Sequence, residues 1–309
     1  MIAFLFPGQG SQTVGMGKAL AERFGDARAV FEEVDAALGE PLSERIFHGP
    51  AEILTLTEHT QPAILATSIA AYRVLAARGL RPAVVAGHSL GEYSAHVAAE
   101  TMTLADAARL VRNRGRYMQE AVPVGTGAMA AILGLDAAAV ARACEEAADG
   151  DVVSPANLNA PGQVVIAGAA PAVARAIERA KAAGAKRAIP LHVSAPFHCA
   201  LMKPAEERLA PELRAVSAAN PRVPVIANVD AEPKTDAASA IEALVRQVSA
   251  PVRWEQVMKR LVVEGATTFV EVGPGTVLCG LGKKLARDAT FANLETPEDL
   301  AHIEAVFAS

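Results

Sequence analysis

The sequence predicts an α/β fold in which a mostly parallel sheet forms the main domain and a smaller ferredoxin-like unit is inserted into it. Short apolar runs that end at glycine or proline, at residues 2–6 and 83–87, are typical of strands buried on both faces. Helical patterns follow these runs, an order that favours a parallel sheet covered by helices. Between residues 128 and 193 the pattern becomes strand, helix, strand, strand, helix, strand, which is typical of a ferredoxin-like βαββαβ unit.

The helices of the first part of the main domain follow from capping and periodicity. Thr60 can cap a helix whose first turn holds Pro62, which predicts a helix over residues 60–79. Periodic apolar positions predict two further helices, over 91–99 and 103–120. A predominantly helical stretch is expected between the first strand and residue 60.

The inserted unit is expected at residues 125–194, which divides the main domain into segments 1–124 and 195–309. Both ends of the unit must return to the main domain, so it is an insertion and not an appended domain. Its predicted strands cover 128–133, 152–156, 163–167 and 188–193, and its predicted helices cover 137–148 and 172–183. The main-domain pattern then resumes, with strands over 223–228 and 268–272.

Composition and charge exclude several classes of function. The formal net charge is -5 and only 4% of residues are aromatic, which argues against a nucleic-acid-binding surface. No apolar run approaches the ~18 residues that a membrane helix requires. The three cysteines, Cys144, Cys199 and Cys279, have no metal-binding spacing and are expected as free thiols. These features predict a cytoplasmic protein without a metal site or a cofactor.

Ser89 lies at the centre of a G-x-S-x-G motif, at residues 87–91, between an apolar strand and a helix. In such a motif a sharp strand-to-helix turn forces the middle residue into a strained backbone conformation, and the glycines avoid collisions. The hydroxyl then lies at the carboxyl edge of the sheet, and the N–H of Leu90 points to where an oxyanion would form. The motif also arises by chance, but its position between strand and helix favours a nucleophile.

A serine nucleophile requires a base, and histidine is the usual one. The histidines are His48, His59, His88, His96, His192, His198 and His302. His88 adjoins the serine, and consecutive residues at such a turn usually diverge, so it is a poor base. His198 lies in a proline-containing loop where the inserted unit ends, and loops at domain junctions often face a cleft. A lone histidine is more often structural, so the residues alone leave this assignment open.

The glycine-rich turn at residues 7–12 is not interpreted as a nucleotide site. A dinucleotide fingerprint needs a third glycine where Thr13 stands, and no acidic strand end follows about twenty residues later. We expect this turn to place backbone N–H groups and the Gln9 amide beside the nucleophile.

Taken together, these motifs resemble the malonyl-CoA:acyl carrier protein transacylases of fatty acid synthesis and the acyltransferase domains of polyketide synthases. The matching segments run nearly from end to end of the chain, at 6–12, 87–93, 112–115, 128–131, 155–157, 197–198, 228–229, 251–254 and 271–275. Met118 adds a further match. The resemblance implies an α/β hydrolase-like main domain with the ferredoxin-like insert, and an active-site cleft between them.

The resemblance also implies a role for each matching residue. Ser89 would be the nucleophile, and His198 its general base and then acid. A backbone carbonyl at Gln247 would orient the imidazole, although the sequence around Gln247 matches the family only loosely. The N–H groups of Gln9 and Leu90 would bind the oxyanion.

Arg114 would bind the free carboxylate of malonate. Three arginines, at 112, 114 and 116, lie on one predicted helix, and spacings of two residues place neighbours on opposite sides. The family pattern implies that Arg114 points inward and that the other two remain in solvent. Phe197 before His198 accompanies malonyl selectivity over methylmalonyl in related polyketide domains.

The implied function is transfer of malonyl from malonyl-CoA to the phosphopantetheine thiol of an acyl carrier protein, without nucleic acid or membrane partners. Two basic clusters, Lys186 with Arg187 and Lys283 with Lys284 and Arg287, are candidates for docking an acidic carrier protein. Alternatives remain: a malonyl transferase of a polyketide or malonate decarboxylase system, a serine thioesterase or hydrolase, and a non-catalytic docking module. A hydrolase usually has an acidic residue before the histidine, and usually no arginine at the acyl end of its site.

Overall fold

A computed structural model describes residues 1–191 and 193–308 of the chain. Over these residues the strands, labelled β1 to β10 in chain order, are Ile2–Phe6, Val84–Gly87, Gly127–Leu133, Val153–Ala160, Gln163–Ala169, Arg187–Pro190, Val225–Ile226, Pro233–Lys234, Thr268–Val272 and Thr290–Leu294. The helices, labelled α1 to α14, are Lys18–Arg23, Gly25–Leu38, Leu42–His48, Ala51–Leu54, Thr57–Ala77, Gly91–Ala98, Leu104–Glu120, Ala137–Ala147, Ala170–Ala182, Lys203–Ala215, Ala237–Gln247, Trp254–Val263, Val277–Leu285 and Leu300–Ala308. Two single turns of 3₁₀ helix, Ala200–Met202 and Pro297–Asp299, precede α10 and α14.

The larger sheet has the strand order β10-β9-β1-β2-β7-β8. Every neighbouring pair is parallel except β7 with β8, which is antiparallel. Phe4, Phe6 and Phe269 on these strands are fully buried, as expected of strands covered on both faces. The carboxyl ends of β1, β2 and β7 therefore lie side by side at one edge, where a parallel sheet of this kind binds its ligands.

The smaller sheet has the order β4-β5-β3-β6 and is antiparallel throughout. Helices α8 and α9 pack on it through a separate apolar cluster that includes Ile132, Val140, Ile166 and Val173. The predicted fold class, a parallel-sheet α/β domain with a separate βαββαβ unit, is confirmed. The boundaries of the inserted unit, at 125 and 194, stay a prediction, and all four of its strands lie inside them.

The two sheets meet beside the segment that follows α11. Asn157 on β4 forms an isolated parallel bridge with Val252. The N–H of Leu158 donates to the carbonyl of Val252 at 2.9 Å, and the N–H of Val252 donates to the carbonyl of Ala156 at 2.8 Å. The inserted unit is therefore joined by backbone hydrogen bonds to the loop that leaves α11.

Helix α5 begins at Thr57, so the predicted start at Thr60 is wrong. The hydroxyl of Thr60 donates to the carbonyls of Leu54 and Leu56 instead of capping the helix. Gly115 of α7 packs against the first turn of α5, so closely that an added Cβ would be 2.6 Å from the Thr57 carbonyl oxygen. Pro62 consequently lies inside the helix.

Other differences concern strands at the sheet edges. The strand predicted over 223–228 is only Val225–Ile226, and β8 and β10 were not predicted. Strand β4 runs to Ala160 instead of ending at 156. The strand predicted over 188–193 is observed as Arg187–Pro190, and His192 within that range lies outside the described residues. The ends of such short strands depend on pairing with a neighbouring strand. The local sequence is therefore a poor predictor of where these strands begin and end.

Across residues 1–191 and 193–308, no helix has both the length and the apolar composition needed to cross a membrane.

Candidate active site

The turn from β2 into α6 holds Ser89 in a left-handed backbone conformation, with φ of 54°. Steric contacts explain both glycines of the motif. A Cβ added at Gly87 would collide with the backbone of Gly91, and one added at Gly91 would collide with the carbonyl of Phe6 on β1. The glycines therefore let the chain reverse closely enough to project the serine from the carboxyl edge of the sheet.

Asn228, directly after β7, holds this turn in place. Its side-chain oxygen accepts the N–H of Ser89 at 2.7 Å, and its amide nitrogen donates to the carbonyl of Gly87 at 2.7 Å. The Asn228 side chain is fully buried, and its bond to the carbonyl of Gly87 is shielded from water. Asn228 thereby supports the strained conformation of the serine from the neighbouring strand.

His198 lies against the serine hydroxyl, with 2.6 Å between its Nε2 and the Oγ of Ser89. Its Nδ1 is 3.1 Å from the backbone carbonyls of Gln247 and of Ala250. Carbonyl oxygens only accept, so Nδ1 carries the proton and Nε2 is free to accept the proton of the serine. Over residues 1–191 and 193–308, no carboxylate hydrogen-bonds this imidazole, which makes the arrangement a dyad.

The imidazole of His198 is held neutral. Burial, the nearby charge of Arg114 and the neighbouring His88 together lower its pKa to about 3, against partial compensation from the two carbonyls. A neutral imidazole is the form that can act as a base. His88 itself is turned away from the serine, since its Nε2 lies 2.9 Å from Oδ1 of Asn159 and its ring packs on Trp254.

Arg114 of α7 points into the protein and is only 1% exposed. Its Nη1 donates to Oε1 of Gln61 at 2.8 Å, and its Nη2 donates to Oγ of Ser89 at 3.1 Å and to Oε1 of Gln247 at 2.9 Å. No carboxylate of the described chain lies within ion-pair distance of it, in contrast to Arg112, which pairs with Glu40 and Glu58. The guanidinium is thus a buried cation beside the serine without a partner anion.

The other two arginines of this helix differ from the expectation in one respect. Arg116 is exposed, as predicted, and donates to Asn113. Arg112 is half-buried by its contacts with the carboxylates of Glu40 and Glu58, so it does not simply remain in solvent.

Gln247 connects the arginine, the serine and the histidine. Besides its bond from Arg114, its Nε2 donates to the backbone carbonyl of Ser89 and to Oε2 of Glu92, each at 2.8 Å. Its own backbone carbonyl accepts from His198. The side chain is therefore part of the site, in addition to the backbone carbonyl that the family resemblance suggested.

Two backbone N–H groups near the serine have no acceptor in the part of the chain that the structure describes. Within the described residues, neither the N–H of Gln9 nor that of Leu90 has a hydrogen-bond partner. Leu90 immediately precedes α6, where the helix dipole favours negative charge. Gly8 packs so tightly against the carbonyl of His88 that the glycine-rich turn lies next to the serine turn. This pair has the chemistry of an oxyanion hole.

Similarity to known proteins identifies the family. The acyl transferase domain family matches residues 3–296 of the chain. The chain belongs to the acyl transferase domain family. The malonyl CoA-acyl carrier protein transacylase of Escherichia coli K12 is 53% identical to this acyl transferase domain over 300 residues, 97% of each protein.

Solved structures agree with this relationship. The acyl carrier protein S-malonyltransferase of Vibrio cholerae is 48% identical, with a TM-score of 0.96 over 98% of this chain and 99% of that one. A malonyl-transacylase solved in complex with the holo acyl-carrier protein of a type II PKS is 47% identical, with a TM-score of 0.96 over 100% and 99%.

The cleft of this acyl transferase domain has a volume of about 570 Å³. Residues of the serine turn, α7 and the glycine-rich turn line it, together with residues of the inserted unit and of the chain that follows it: Met129, Asn157, Leu191, Val193, Ser194, Phe197 and His198. Leu56 and Val193 line it and are 49% and 36% exposed, which gives the cleft partly apolar walls at the solvent side. In the chain as described, no group of three or more His, Cys, Asp or Glu side chains could hold a metal ion.

The two basic clusters lie near the same turn of the inserted unit. Lys186 packs on Gly134, whose N–H donates to the carbonyl of Gly162 at 2.8 Å, and Lys284 donates to Oε1 of Gln163 at 2.9 Å. Among the described residues, none of the five cations in these clusters forms a salt bridge. Strand β4 leads from this turn back to Asn157 in the cleft.

Three residues of the site were not assigned from the sequence: Gln61, Glu92 and Asn228. Asn228 offered one signal, since it is a polar residue that follows a strand at the catalytic edge. From the sequence alone, Glu92 is an acidic residue in the first turn of a helix, where it is expected to interact favourably with the helix dipole. Gln61 is an ordinary helix residue. Their contacts with Arg114, Gln247 and Ser89 span 53 to 155 residues of sequence, and only the fold reveals them.

Proposed function

We propose that this acyl transferase domain transfers malonyl from malonyl-CoA to the phosphopantetheine thiol of an acyl carrier protein, through a malonyl ester on Ser89. The observation that carries the proposal is the buried Arg114 guanidinium beside the Ser89–His198 pair, without a carboxylate of its own. A ligand that brings an acyl carbon and a carboxylate would satisfy both groups at once. The names of the relatives support the same substrate class.

In the first half-reaction, Oγ of Ser89 attacks the thioester carbon while Nε2 of His198 takes the hydroxyl proton. The N–H groups of Gln9 and Leu90 stabilise the negative oxygen of the tetrahedral intermediate. The carbon–sulfur bond then breaks, and His198 returns the proton to the departing coenzyme A thiolate. Malonyl remains as an ester on Ser89, with its carboxylate on Arg114.

The second half-reaction reverses these steps with a different thiol. His198 takes the proton of the pantetheine thiol, the sulfur attacks the ester carbon, and the bond to Oγ breaks as Ser89 regains the proton. Thioester and ester differ modestly in energy, so exchange runs in both directions. Water must be kept away from the ester meanwhile, because hydrolysis would release malonate.

A serine hydrolase is the main rival, and the same geometry weighs against it. His198 is oriented by two carbonyls instead of a carboxylate, and a neutral-acyl hydrolase has no use for an unpaired buried arginine. A non-catalytic docking module has no reason to align serine, histidine and two free N–H groups.

We further propose a protein partner, a pathway and a cellular compartment for this activity. The basic clusters at Lys186–Arg187 and at 283–287 would meet the acidic carrier protein, and the complex of a similar malonyl-transacylase with its carrier protein supports such a partner. The product would enter fatty acid synthesis, with polyketide or malonate decarboxylase systems as alternatives. Three buried free thiols are typical of a reducing compartment, which supports a cytoplasmic location.

Separating malonyl-CoA, malonyl-carrier protein and free malonate over time tests the function. We expect malonyl-carrier protein to accumulate at a rate far above malonate release. Malonate as the principal product in the presence of carrier protein would favour the hydrolase instead.

A further inference from the structure

Glu92 is a fully buried carboxylate at the start of α6 that no step of the proposed mechanism uses. Its Oε2 accepts the backbone N–H of Asn228 at 2.9 Å and the Nε2 of Gln247 at 2.8 Å. Its Oε1 is buried without a hydrogen-bond partner, and the described chain offers it no salt bridge. An isolated buried carboxylate is costly, so its retention here calls for a role.

The bonds of Gln247 indicate that role. Its Nε2 faces two acceptors, the carbonyl of Ser89 and Oε2 of Glu92, whereas its Oε1 faces a donor, Nη2 of Arg114. A reversed amide would set oxygen against two oxygens and nitrogen against the guanidinium. The carboxylate, together with the carbonyl of Ser89, therefore fixes which end of the amide faces Arg114.

We propose that Glu92 is a positioning residue for acyl selectivity: by holding the amide of Gln247, it keeps the Arg114 guanidinium aimed at the acyl group on Ser89. This inference deepens the proposed malonyl transfer and rests on it. Arg114 has two other hydrogen-bond acceptors, on Gln61 and Ser89, and Oγ of Ser89 becomes an ester oxygen, a weaker acceptor, when the adduct forms. The amides of Gln61 and Gln247 then remain its strong acceptors, beside the ring of Tyr93, so the orientation of Gln247 matters most when the guanidinium binds the malonate carboxylate.

The geometry assigns this role to one oxygen and not to the charge. Both bonds end on Oε2, so Glu92→Gln can keep that acceptor with its new amide nitrogen at the position of Oε1. Glu92→Asp keeps the charge but withdraws the oxygen by one methylene. Glu92→Leu removes the acceptor altogether. Burial raises the pKa of Glu92 to about 7, and protonation on Oε1 would likewise leave Oε2 as an acceptor.

The test is the ratio of acylation rates of Ser89 with malonyl-CoA and with acetyl-CoA. We expect Glu92→Leu to lower the preference for malonyl by about tenfold, the usual effect of losing one buried hydrogen-bond partner. Glu92→Asp should show an intermediate loss, and Glu92→Gln should restore the preference to nearly the wild-type value. A purely structural role would instead slow both acyl groups equally.

Glu271→Leu is the matched control, because Glu271 is also a fully buried carboxylate that accepts two N–H groups, those of Leu278 and Cys279, away from the site. It should reduce thermal stability and leave the preference unchanged. An unchanged preference in Glu92→Leu, or an equal loss in Glu92→Gln and Glu92→Asp, would overturn this inference. If Glu92→Leu does not fold, the contrast between Gln and Asp still decides. Absence of a malonyl adduct on the wild-type protein would instead overturn the proposed function, and this inference with it.

Discussion

Replacing Arg114 by alanine should abolish the discrimination between malonyl and acetyl groups. A guanidinium has five N–H donors, and Gln61, Gln247 and Ser89 together occupy one on Nη1 and both on Nη2. Acylation of Ser89 leaves one N–H of Nη2 with only a weak ester acceptor, and the second N–H of Nη1 has no acceptor among the described residues. These two can bind the two oxygens of the malonate carboxylate in parallel.

The expected magnitude follows from those two bonds. A hydrogen bond to a charged group contributes about 1.5–3 kcal/mol, so two contribute about 3–6 kcal/mol. Arg114→Ala should therefore lower kcat/KM for malonyl-CoA by on the order of 10² to 10⁴. Acetyl-CoA has no carboxylate to lose, so its rate should fall far less and the preference should largely disappear. Arg114→Lys should recover only part, because an ammonium keeps the charge but not the paired donors.

The assay is stopped-flow or quenched acylation with each acyl-CoA, followed by intact-protein mass. Arg112→Ala is the matched control, since Arg112 lies on the same helix and pairs with Glu40 and Glu58 outside the cleft. It should leave the malonyl preference unchanged. If Arg114→Ala retained the wild-type preference for malonyl, another group would bind the malonate carboxylate, and the role assigned to Arg114 would be refuted.

Three further predictions concern the base, its protonation and the partner. His198→Ala should slow formation of the acyl-enzyme by on the order of 10⁴ to 10⁶ while leaving the fold intact, and a rate within tenfold of wild type would reassign the base. Burial and the charge of Arg114 lower the pKa of His198 to about 3, so the imidazole stays neutral as the pH falls through the usual histidine pKa. The pH profile of kcat/KM for malonyl-CoA should therefore show no midpoint near pH 6.5. A midpoint there would mean that His198 titrates as an ordinary histidine. Charge reversal at Lys186 and Lys284 should raise KM for carrier protein, most strongly at low salt, and spare KM for malonyl-CoA; equal effects on both substrates would reject this docking surface.

The parts of the site that depend on local sterics could be predicted from the sequence. Gly87 is required by a collision with the backbone of Gly91, four residues later, so the motif itself predicts the serine turn, whereas the need for Gly91 comes from Phe6 on β1. The capping of α7 by Thr103, whose side chain accepts from the N–H of Asp106, is similarly local.

The remaining parts depend on contacts between distant segments. His198 is 109 residues from Ser89 and Gln247 is 133 residues from Arg114, so only the family resemblance suggested that they meet. Even that resemblance did not reveal the hydrogen bonds of the Gln247 side chain, or those that Asn228 and Glu92 form with Ser89 and Gln247. Strand β10 was missed for a related reason, since it forms through its parallel pairing with β9.

Every step of the proposed mechanism passes through a malonyl ester on the hydroxyl of Ser89, and this ester can be detected by intact-protein mass spectrometry before and after a chase with carrier protein. Wild-type protein mixed with malonyl-CoA should gain the mass of one malonyl group, and peptide mapping should locate it at Ser89. Addition of holo carrier protein should remove the adduct and yield malonyl-carrier protein, whereas Ser89→Ala should never acquire the adduct. A malonyl adduct on Ser89→Ala, or a wild-type adduct that carrier protein does not discharge, would contradict the account.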